Sequence, residues 1–388
     1  MEDKILIGGD FSGIQGYIYN IASKYASHNL KGRSDTLKTE CEDMACRVCD
    51  VVNGEVIVSS GGTFLLIADD NVENICRLEH HIADEEQRIY ETYGTDLYVA
   101  IDYVHLNAVN TYIEATTQLF HKRDAKKSRR LATIIKNHYS DFFEPQQWYY
   151  DKTDAVTGAY FKSKEDLRIC EGIGVVTEQT LKQIEKGRDL ARCSHRVRDL
   201  NKLVQPENDA DLVRLGVLRM DVDNLGTTFQ DEIKKCKNDL SEYRRLSQHF
   251  TDFFRETSLY KLNPEETVYI VYSGGDDIFA VGRWDNMIEF AEKVHESFSA
   301  QDFVKKRSLS ISGGVAILPK MYPIMKGAVE GGELEDLAKD HKVGAVEKNS
   351  IAFLGMALNW EKEYPVVKAL KEKLVRMDEE LGKYRKGS

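Results

Sequence analysis

The sequence holds no apolar run approaching the roughly 18 residues that a membrane span needs. No signal peptide precedes Lys4-Ile5-Leu6-Ile7 either, so a cytoplasmic protein without membrane contact is expected. Seven cysteines are an odd number in a long chain without secretory features, which argues for a reducing compartment and against a disulfide framework. Positive charge is in short supply: 53 Lys and Arg stand against 64 Asp and Glu, a formal net charge of −11. That argues against a protein that coats nucleic acid through its overall charge, but leaves room for a local basic patch. With 42% hydrophobic and 30% charged residues and only 6 prolines, the composition is that of a globular chain. Its 388 residues suffice for two or three domains with their own cores.

What the chain does have is Val271-Tyr272-Ser273-Gly274-Gly275-Asp276-Asp277-Ile278-Phe279-Ala280-Val281. β-branched and aromatic residues flank a two-glycine break, the pattern of a hairpin. Adjacent carboxylates at a hairpin tip repel each other and do nothing for folding, but they suit a divalent metal. Ser273, Gly274 and Gly275 would let a triphosphate approach the backbone closely.

The first segment, residues 1–109, opens with a strand at Ile5 to Ile7 that runs into Gly8-Gly9-Asp10-Phe11-Ser12-Gly13. The glycines and Ser12 read as a strand-to-helix turn with free N–H groups, a phosphate or ribose cradle. A helix over Ser34 to Val52 presents Leu37, Cys41, Met44, Val48 and Val52 on one face. A strand pair around Gly61-Gly62, a helix over Val72 to Tyr93 and a strand over Leu97 to Val104 complete a β-α-β-β-α-β order, the ferredoxin-like pattern. Residues 110–207 read as a helical insert. Its basic run from Lys122 to Arg130 is taken first as a solvated helix face and second as a contact for RNA or phosphates. Phe142-Phe143-Glu144-Pro145 and Trp148-Tyr149-Tyr150 read as a packed connector.

Residues 208–360 repeat the first segment, with a strand from Leu215 ending in Asp221-Val222-Asp223-Asn224, and 361–388 form a helical tail. Asp10 lies 51 positions before Gly61, and Asp221 lies 53 before Gly274. Two copies of one topology therefore bracket the insert, giving an α+β protein whose copies are expected to pack face to face over a composite site. The copies are unequal, because Gly61-Gly62-Thr63-Phe64 has no acid where the second has Asp276-Asp277. In a ferredoxin-like sheet the first strand lies beside the central hairpin. Asp221, Asp223, Asp276, Asp277 and the Val222 carbonyl are thus expected at one edge. Such an all-oxygen set favours Mg²⁺ or Mn²⁺ over zinc. Lys339 and Lys348 lie downstream, where a cation would hold a triphosphate. The implied chemistry is nucleotidyl transfer.

Asp-Phe-Ser-Gly-Ile-Gln at 10–15, Ser-Gly-Gly at 60–62, Met-Asp-Val-Asp-Asn-Leu-Gly at 220–226 and Ser-Gly-Gly-Asp-Asp at 273–277 resemble the large, polymerase-like subunit of type III CRISPR effector complexes. Ile311-Ser312-Gly313-Gly314, Tyr322-Pro323-Ile324 and Lys348-Asn349 extend the resemblance over nearly the whole chain. The GGDEF cyclase palm is a more distant relative; there the counterparts of Asp221 and the turn acids bind metal, and those of Lys339 and Lys348 sit near phosphates. The resemblance implies two palm domains that share two ATP molecules and make cyclic oligoadenylate when the complex, with its guide RNA and other subunits, binds target RNA. It also implies that Asp276 and Asp277 are the catalytic pair, Asp221 a metal ligand, and Ser12, Gly61 and Gly62 the lining of an acceptor ATP site.

Departures from the family pattern bear on that reading. None of the ten histidines is followed by Asp, so DNA cleavage by an HD nuclease domain is not expected. The family's C-terminal helical domain looks missing or only begun, as in a compact variant or a truncated chain. Its two Cys-x-x-Cys pairs are not intact either: Cys170, Cys193 and His195 are scattered. Cys46-Arg47-Val48-Cys49, with Cys41 nearby, reads as small buried residues on a helix face, and zinc is not expected. Two other functions stay open: a stand-alone cyclic dinucleotide synthase, and a non-catalytic scaffold that binds nucleotide or RNA. ATP over GTP rests on the resemblance alone.

Overall fold

The computed structural model describes residues 3–21, 26–137, 139–143, 153–161, 163–194, 203–205, 212–235, 240–320 and 322–386. Its first strand, β1 (Lys4–Ser12), runs through the middle of a four-stranded antiparallel sheet. Ile5, Leu6 and Ile7 are all fully buried because the sheet is covered on both faces. Successive side chains point to opposite sides, so Ile5 and Ile7 join one core while Leu6 joins another. The strand continues through Gly8, Gly9 and Ser12, where the sequence suggested a turn. A Cβ at Gly9 would lie 2.1 Å from the Phe64 ring, and one at Gly8 2.8 Å from Leu119. These two glycines make room for side chains and do not cradle a ligand. The turn comes at Gly13, whose φ is +92° and whose Cβ would meet the Asp96 carbonyl oxygen at 2.2 Å.

After the short α1 (Ile14–Tyr19) come α2 (Ala26–Val52), β2 (Glu55–Ser60), β3 (Thr63–Asp69), α3 (Val72–Tyr93) and β4 (Tyr98–His105). The strand order is β2-β3-β1-β4. On α2, Leu37, Met44, Val48 and Val52 are buried, as their spacing predicts. Cys46 is exposed and Cys49 half-buried, so this Cys-x-x-Cys is not a pair of buried residues.

Next, α4 (Tyr112–Ser128) folds back over β1 and β4, and the basic run goes with it. Arg123, 5% exposed, donates to the Gly9 carbonyl at 3.2 Å. Lys122 and Lys126 donate to the carbonyls of Tyr103 and Ile101 on the edge strand β4, at 2.7 and 2.6 Å, and Lys127 pairs with Asp10. Arg123, Lys126 and Lys127 are committed to the sheet rather than to solvent, whereas Lys122, though bonded to Tyr103, and Arg129 and Arg130 stay exposed, as the solvated-face reading has it. The long aliphatic stems of Lys122 and Lys126 let their charges reach backbone oxygens on the edge strand β4.

The insert continues with α5 (Ala132–Asn137), α6 (Tyr139–Phe143), a β5 (Leu167–Cys170)–β6 (Gly174–Thr177) hairpin and α7 (Glu178–Ser194). It is therefore not wholly helical. The proposed connector lies outside the described residues from 144 to 150, as does His195. Helices α2 and α7 cross at glycines. A Cβ on Gly32 would sit 1.9 Å from the Gln183 carbonyl oxygen, and one on Gly187 1.9 Å from that of His28.

The second unit runs β7 (Leu215–Val222), α8 (Leu225–Lys235), α9 (Ser241–Phe253), α10 (Glu256–Tyr260), β8 (Val268–Gly274), β9 (Asp277–Arg283), α11 (Trp284–Ser299), α12 (Asp302–Arg307) and β10 (Ile311–Leu318). Then follow α13 (Ile324–Asp340), the two-residue strands β11 (Lys342–Val343) and β12 (Val346–Glu347), β13 (Ser350–Phe353), β14 (Met356–Asn359) and α14 (Tyr364–Lys386). Its sheet order, β14-β13-β10-β7-β9-β8, contains the same four-strand core as the first unit. β10 does not end the sheet, since β13 adds to it in parallel. Val217, Phe279 and Val281 share one core with Ile5, Ile7 and Met44 of the first unit, while Leu218, Ile270 and Ile278 face a Phe-rich core of their own. The two sheets thus close over common apolar surface.

The α2–α7 crossing gives a direct test of packing. Gly187→Ala is expected to destabilise the chain by about 1–3 kcal/mol, because the new methyl must push two helix backbones apart. Thermal or denaturant unfolding measures this, and an unchanged midpoint would mean that the crossing has slack.

Candidate metal and nucleotide centre

β7 and β9 are neighbours, and their register sets Asp221 directly opposite Asp277. Asp276 sits in the turn between β8 and β9, where Gly275 has a φ of +66°. One carboxylate oxygen from each of Asp221, Asp276 and Asp277 lies within 4.8 Å of the other two. Burial, then the neighbouring Asp221, pushes the Asp276 carboxyl well above the usual range. Burial, then Asp276 and Asp221, does the same to Asp277. Such a set gains from a cation, and its ligands are all hard oxygens, so the residues present fit Mg²⁺ or Mn²⁺. The protein supplies one cation of its own. Lys339 on α13 pairs with Asp221 and donates to Glu335 at 2.7 Å. Burial would lower the Lys339 pKa, but these two acids more than offset it and hold the ammonium above its ordinary range.

The first unit completes the surroundings. The turn at Gly61-Gly62 abuts the acidic turn so closely that a Cβ on Gly275 would lie 3.0 Å from the Gly61 Cα. Both glycines have positive φ, +61° and +66°. Gln15 donates to the Asp277 carboxylate at 3.4 Å, and the Tyr19 and Phe279 rings meet at 4.6 Å. Beside the paired turns opens a cleft of about 170 Å³, lined by Ser34, Lys38 and Glu42 of α2, Thr251 and Arg255, and residues of both turns. Two of its lining hydroxyls, those of Ser59 and Ser273, are buried without a hydrogen-bond partner. They sit at matching places in the two copies, two residues before each glycine of the contact, and offer paired polar handles to a bound ligand.

Ser273, Gly274 and Gly275 line this cleft together with Gly61 and Gly62. Ser12 lines neither the cleft nor the adjoining recess at Gln15; it is paired with Tyr98 at the end of β1. Val222 closes β7 opposite Ile311. Lys348 is bound to Asn224 at 2.7 Å, just past the end of β7. Asp223 is not part of the carboxylate cluster, contrary to expectation. β7 ends at Val222, so the alternation that would put Asp223 on the face of Asp221 stops one residue short. It is 2% exposed, and its carboxylate accepts from Ser310 and Ser312 instead. Sequence reasoning missed Gln15, Lys38, Glu42 and Arg255 as site residues. Lys38 and Glu42, four apart on the polar side of α2, carried a signal only in combination with the docking of the second unit.

Residues 4–148 match the family described as Csm1 subunit domain B, and residues 214–352 match the second palm domain of Cas10/Cmr2. The chain belongs to the Cas10/Csm1 family. The Cas10/Csm1 protein of Enterococcus italicus, described as a single-strand-specific deoxyribonuclease of a subtype III-A CRISPR system, is 26% identical over 97% of this chain and 57% of its own length. That of Mycobacterium tuberculosis is 32% identical over 55% of this chain and 26% of its length. The chain thus spans about half the length of the Cas10/Csm1 relatives it matches. Among solved structures, a Csm1–Csm4 cassette in complex with AMPPNP superposes with a TM-score of 0.67 at 21% identity, covering 92% of this chain and 56% of that one. The same cassette in complex with cA3 gives 0.66. At such identities these Cas10/Csm1 structures show a shared fold.

The raised carboxyls carry a pH signature. Unfolded aspartates lose their protons near pH 4, whereas the folded Asp276 and Asp277 keep theirs to higher pH. The unfolded state therefore binds fewer protons, and stability falls as pH rises through that window. Without metal, Asp277→Asn is expected to unfold about 4 °C above the parent at pH 8, a gap that closes towards pH 4. Millimolar Mn²⁺ should raise the parent's midpoint and leave the variant's unmoved. Equal midpoints at pH 8 with no response to metal in either protein would rule out a strained cation site.

Proposed function

We propose that this chain is a metal-dependent nucleotidyltransferase that converts ATP to cyclic oligoadenylate within a type III CRISPR assembly. The observation that carries the proposal is the Asp221, Asp276 and Asp277 cluster set against a second glycine turn, that of Gly61-Gly62, at backbone contact. We read the two units as ferredoxin-like palms related to GGDEF cyclases, spanning residues 1–109 and 208–360. An insert at 110–207 separates them, and a helical tail at 361–388 follows. The cleft offers polar groups from both units, as a site for two nucleotides requires. Bound at the three carboxylates, divalent metal supplies charge neutralisation for the phosphates and a more acidic attacking hydroxyl. We take Gly274 and Gly275 to line the metal side of the cleft, and Gly61 and Gly62 its acceptor side. Lys339 and Lys348 add positive charge along the same edge of the second sheet. The partners we assign, a Csm4-like subunit with guide and target RNA, follow from the relatives' assemblies.

Purified chain is incubated with Mg²⁺ or Mn²⁺ and each labelled nucleoside triphosphate, and products are resolved by mass. Cyclic adenylates are expected. The Asp276→Ala/Asp277→Ala variant should fall by roughly 10²–10³-fold, the loss expected when several kcal/mol of charge stabilisation at the transition state goes. A cyclic dinucleotide product would replace the oligoadenylate reading with a stand-alone synthase. Absence of both product and nucleotide binding would remove the catalytic reading altogether.

A further inference from the structure

The ion that sequence reasoning placed among the metal ligands has a different task in the fold. Asp223 is buried beneath the start of β10, where one carboxylate oxygen accepts three bonds: from Ser310 Oγ at 2.6 Å, Ser312 Oγ at 2.9 Å and the Asn349 backbone N–H at 3.2 Å. Its other oxygen is buried with no partner. The third bond reaches 126 residues along the chain, to a bend of unusual backbone. Lys348 and Asn349 are consecutive non-glycine residues with positive φ, +62° and +48°. Such a pair persists only where its surroundings over-determine it. Here the Asn349 carbonyl accepts from Trp360 and Asn359, each at 3.0 Å, and the Asn349 side chain meets His295 at 3.2 Å. The Lys348 N–H donates to His341 at 2.9 Å. The outcome of this fixing is the direction of one side chain, since Lys348 Nζ is brought back over the end of β7 to Asn224.

We infer that Asp223 is a positioning residue for Lys348: it anchors the Lys348-Asn349 bend to the strand end that also carries Asp221, so that carboxylate cluster and ammonium keep one spacing. The inference rests on the nucleotidyltransferase reading for what Lys348 does, which is to bind the β- and γ-phosphates of the nucleotide. The chemistry is that of a fixed point charge beside a metal–triphosphate. A lysine on a loose bend would lose affinity to ordering both its backbone and its stem, whereas one on an anchored bend has only the stem left to order. Asp221 and Asp223 thus divide the work of one short segment, the first facing the metal and the second facing inward.

The test compares the full-length parent with Asp223→Ala, Asp223→Asn, Lys348→Ala and the Asp223→Ala/Lys348→Ala double variant. Calorimetry reads binding of Mn²⁺ alone, of Mn²⁺ with ATP and of Mn²⁺ with AMP; hydrogen exchange reads the segments 341–350 and 272–278. Both alanine variants should bind ATP about 10-fold more weakly, the worth of one charge-assisted phosphate contact, with AMP and Mn²⁺ unchanged. The double variant should be no weaker than either single one, since both remove the same contact. Asp223→Asn keeps an acceptor for the Asn349 N–H and should lose about 3-fold or less; it carries the test alone if the alanine variant does not fold. Exchange in Asp223→Ala should rise at 341–350 and not at 272–278. Loss of Mn²⁺ binding, multiplying effects in the double variant, or unchanged ATP affinity would each overturn the inference. A parent that binds no nucleotide with Mn²⁺ overturns the nucleotidyltransferase reading instead, and unchanged exchange at 341–350 in Asp223→Ala then overturns the anchor as well.

Discussion

Everything at the centre of this molecule depends on two backbones touching where neither can carry a side chain. Gly61 and Gly275, one from each sheet, approach so closely that a methyl group on either would meet the other's Cα at about 3 Å. Both need positive φ, so glycine is demanded twice at each position, by conformation and by contact. This approach sets how far apart the two hairpins stand. It therefore fixes the width of the cleft beside them and brings Gln15 of the first unit to Asp277 of the second. The shared apolar core behind the contact, from Ile7 to Phe279, keeps that separation constant.

The electrostatics of the two copies follow one plan executed to different extents. In the second, Asp221 lies opposite Asp277 and is paired with Lys339, 118 residues along. In the first, Asp10 lies opposite Thr63 and is paired with Lys127, 117 residues along. In each case the helix after the fourth strand returns a lysine to the acid near the end of the first strand. The first copy has one acid and one lysine, a balanced pair. The second adds Asp276 and Asp277 without adding a cation, and the surplus negative charge appears as carboxyls that hold their protons above the usual range. Placing a second surplus on the first copy, across a contact this close, would set like charges against each other at the cost of both hairpins.

The duplication and the juxtaposition of Asp221 with the acidic turn were legible in the sequence because both follow from spacing and sheet topology. Strand alternation and helix periodicity likewise anticipated the burial of Met44, Val48 and Val52 on α2. What was not legible depends on partners far away in sequence. Lys127 looks like one charge in a basic run until its stem is laid over β1, and Gly8 and Gly9 look like a turn until Phe64 and Leu119 claim the space. Asp223 shows the limit most clearly. A two-residue spacing from Asp221 promises a shared face only while the strand lasts, and β7 ends between them. The glycines of α2 and α7 gave no signal at all, since a helix crossing is a property of two segments that the sequence lists 155 positions apart.

The composite character of the site has a consequence for how the chain must work as a unit. The second unit holds all three cluster carboxylates, yet the cleft beside them takes one wall from α2 and the Gly61 turn. The walls are joined by polar ties at the rim: Lys31 pairs with Glu256, Arg244 with Glu55 at 2.7 Å, and Thr251 donates to Ser60 at 3.3 Å. The Arg244–Glu55 tie is exposed and the other two are part-buried, so the apolar core behind them contributes most of the stability. The ties therefore act on alignment more than on cohesion.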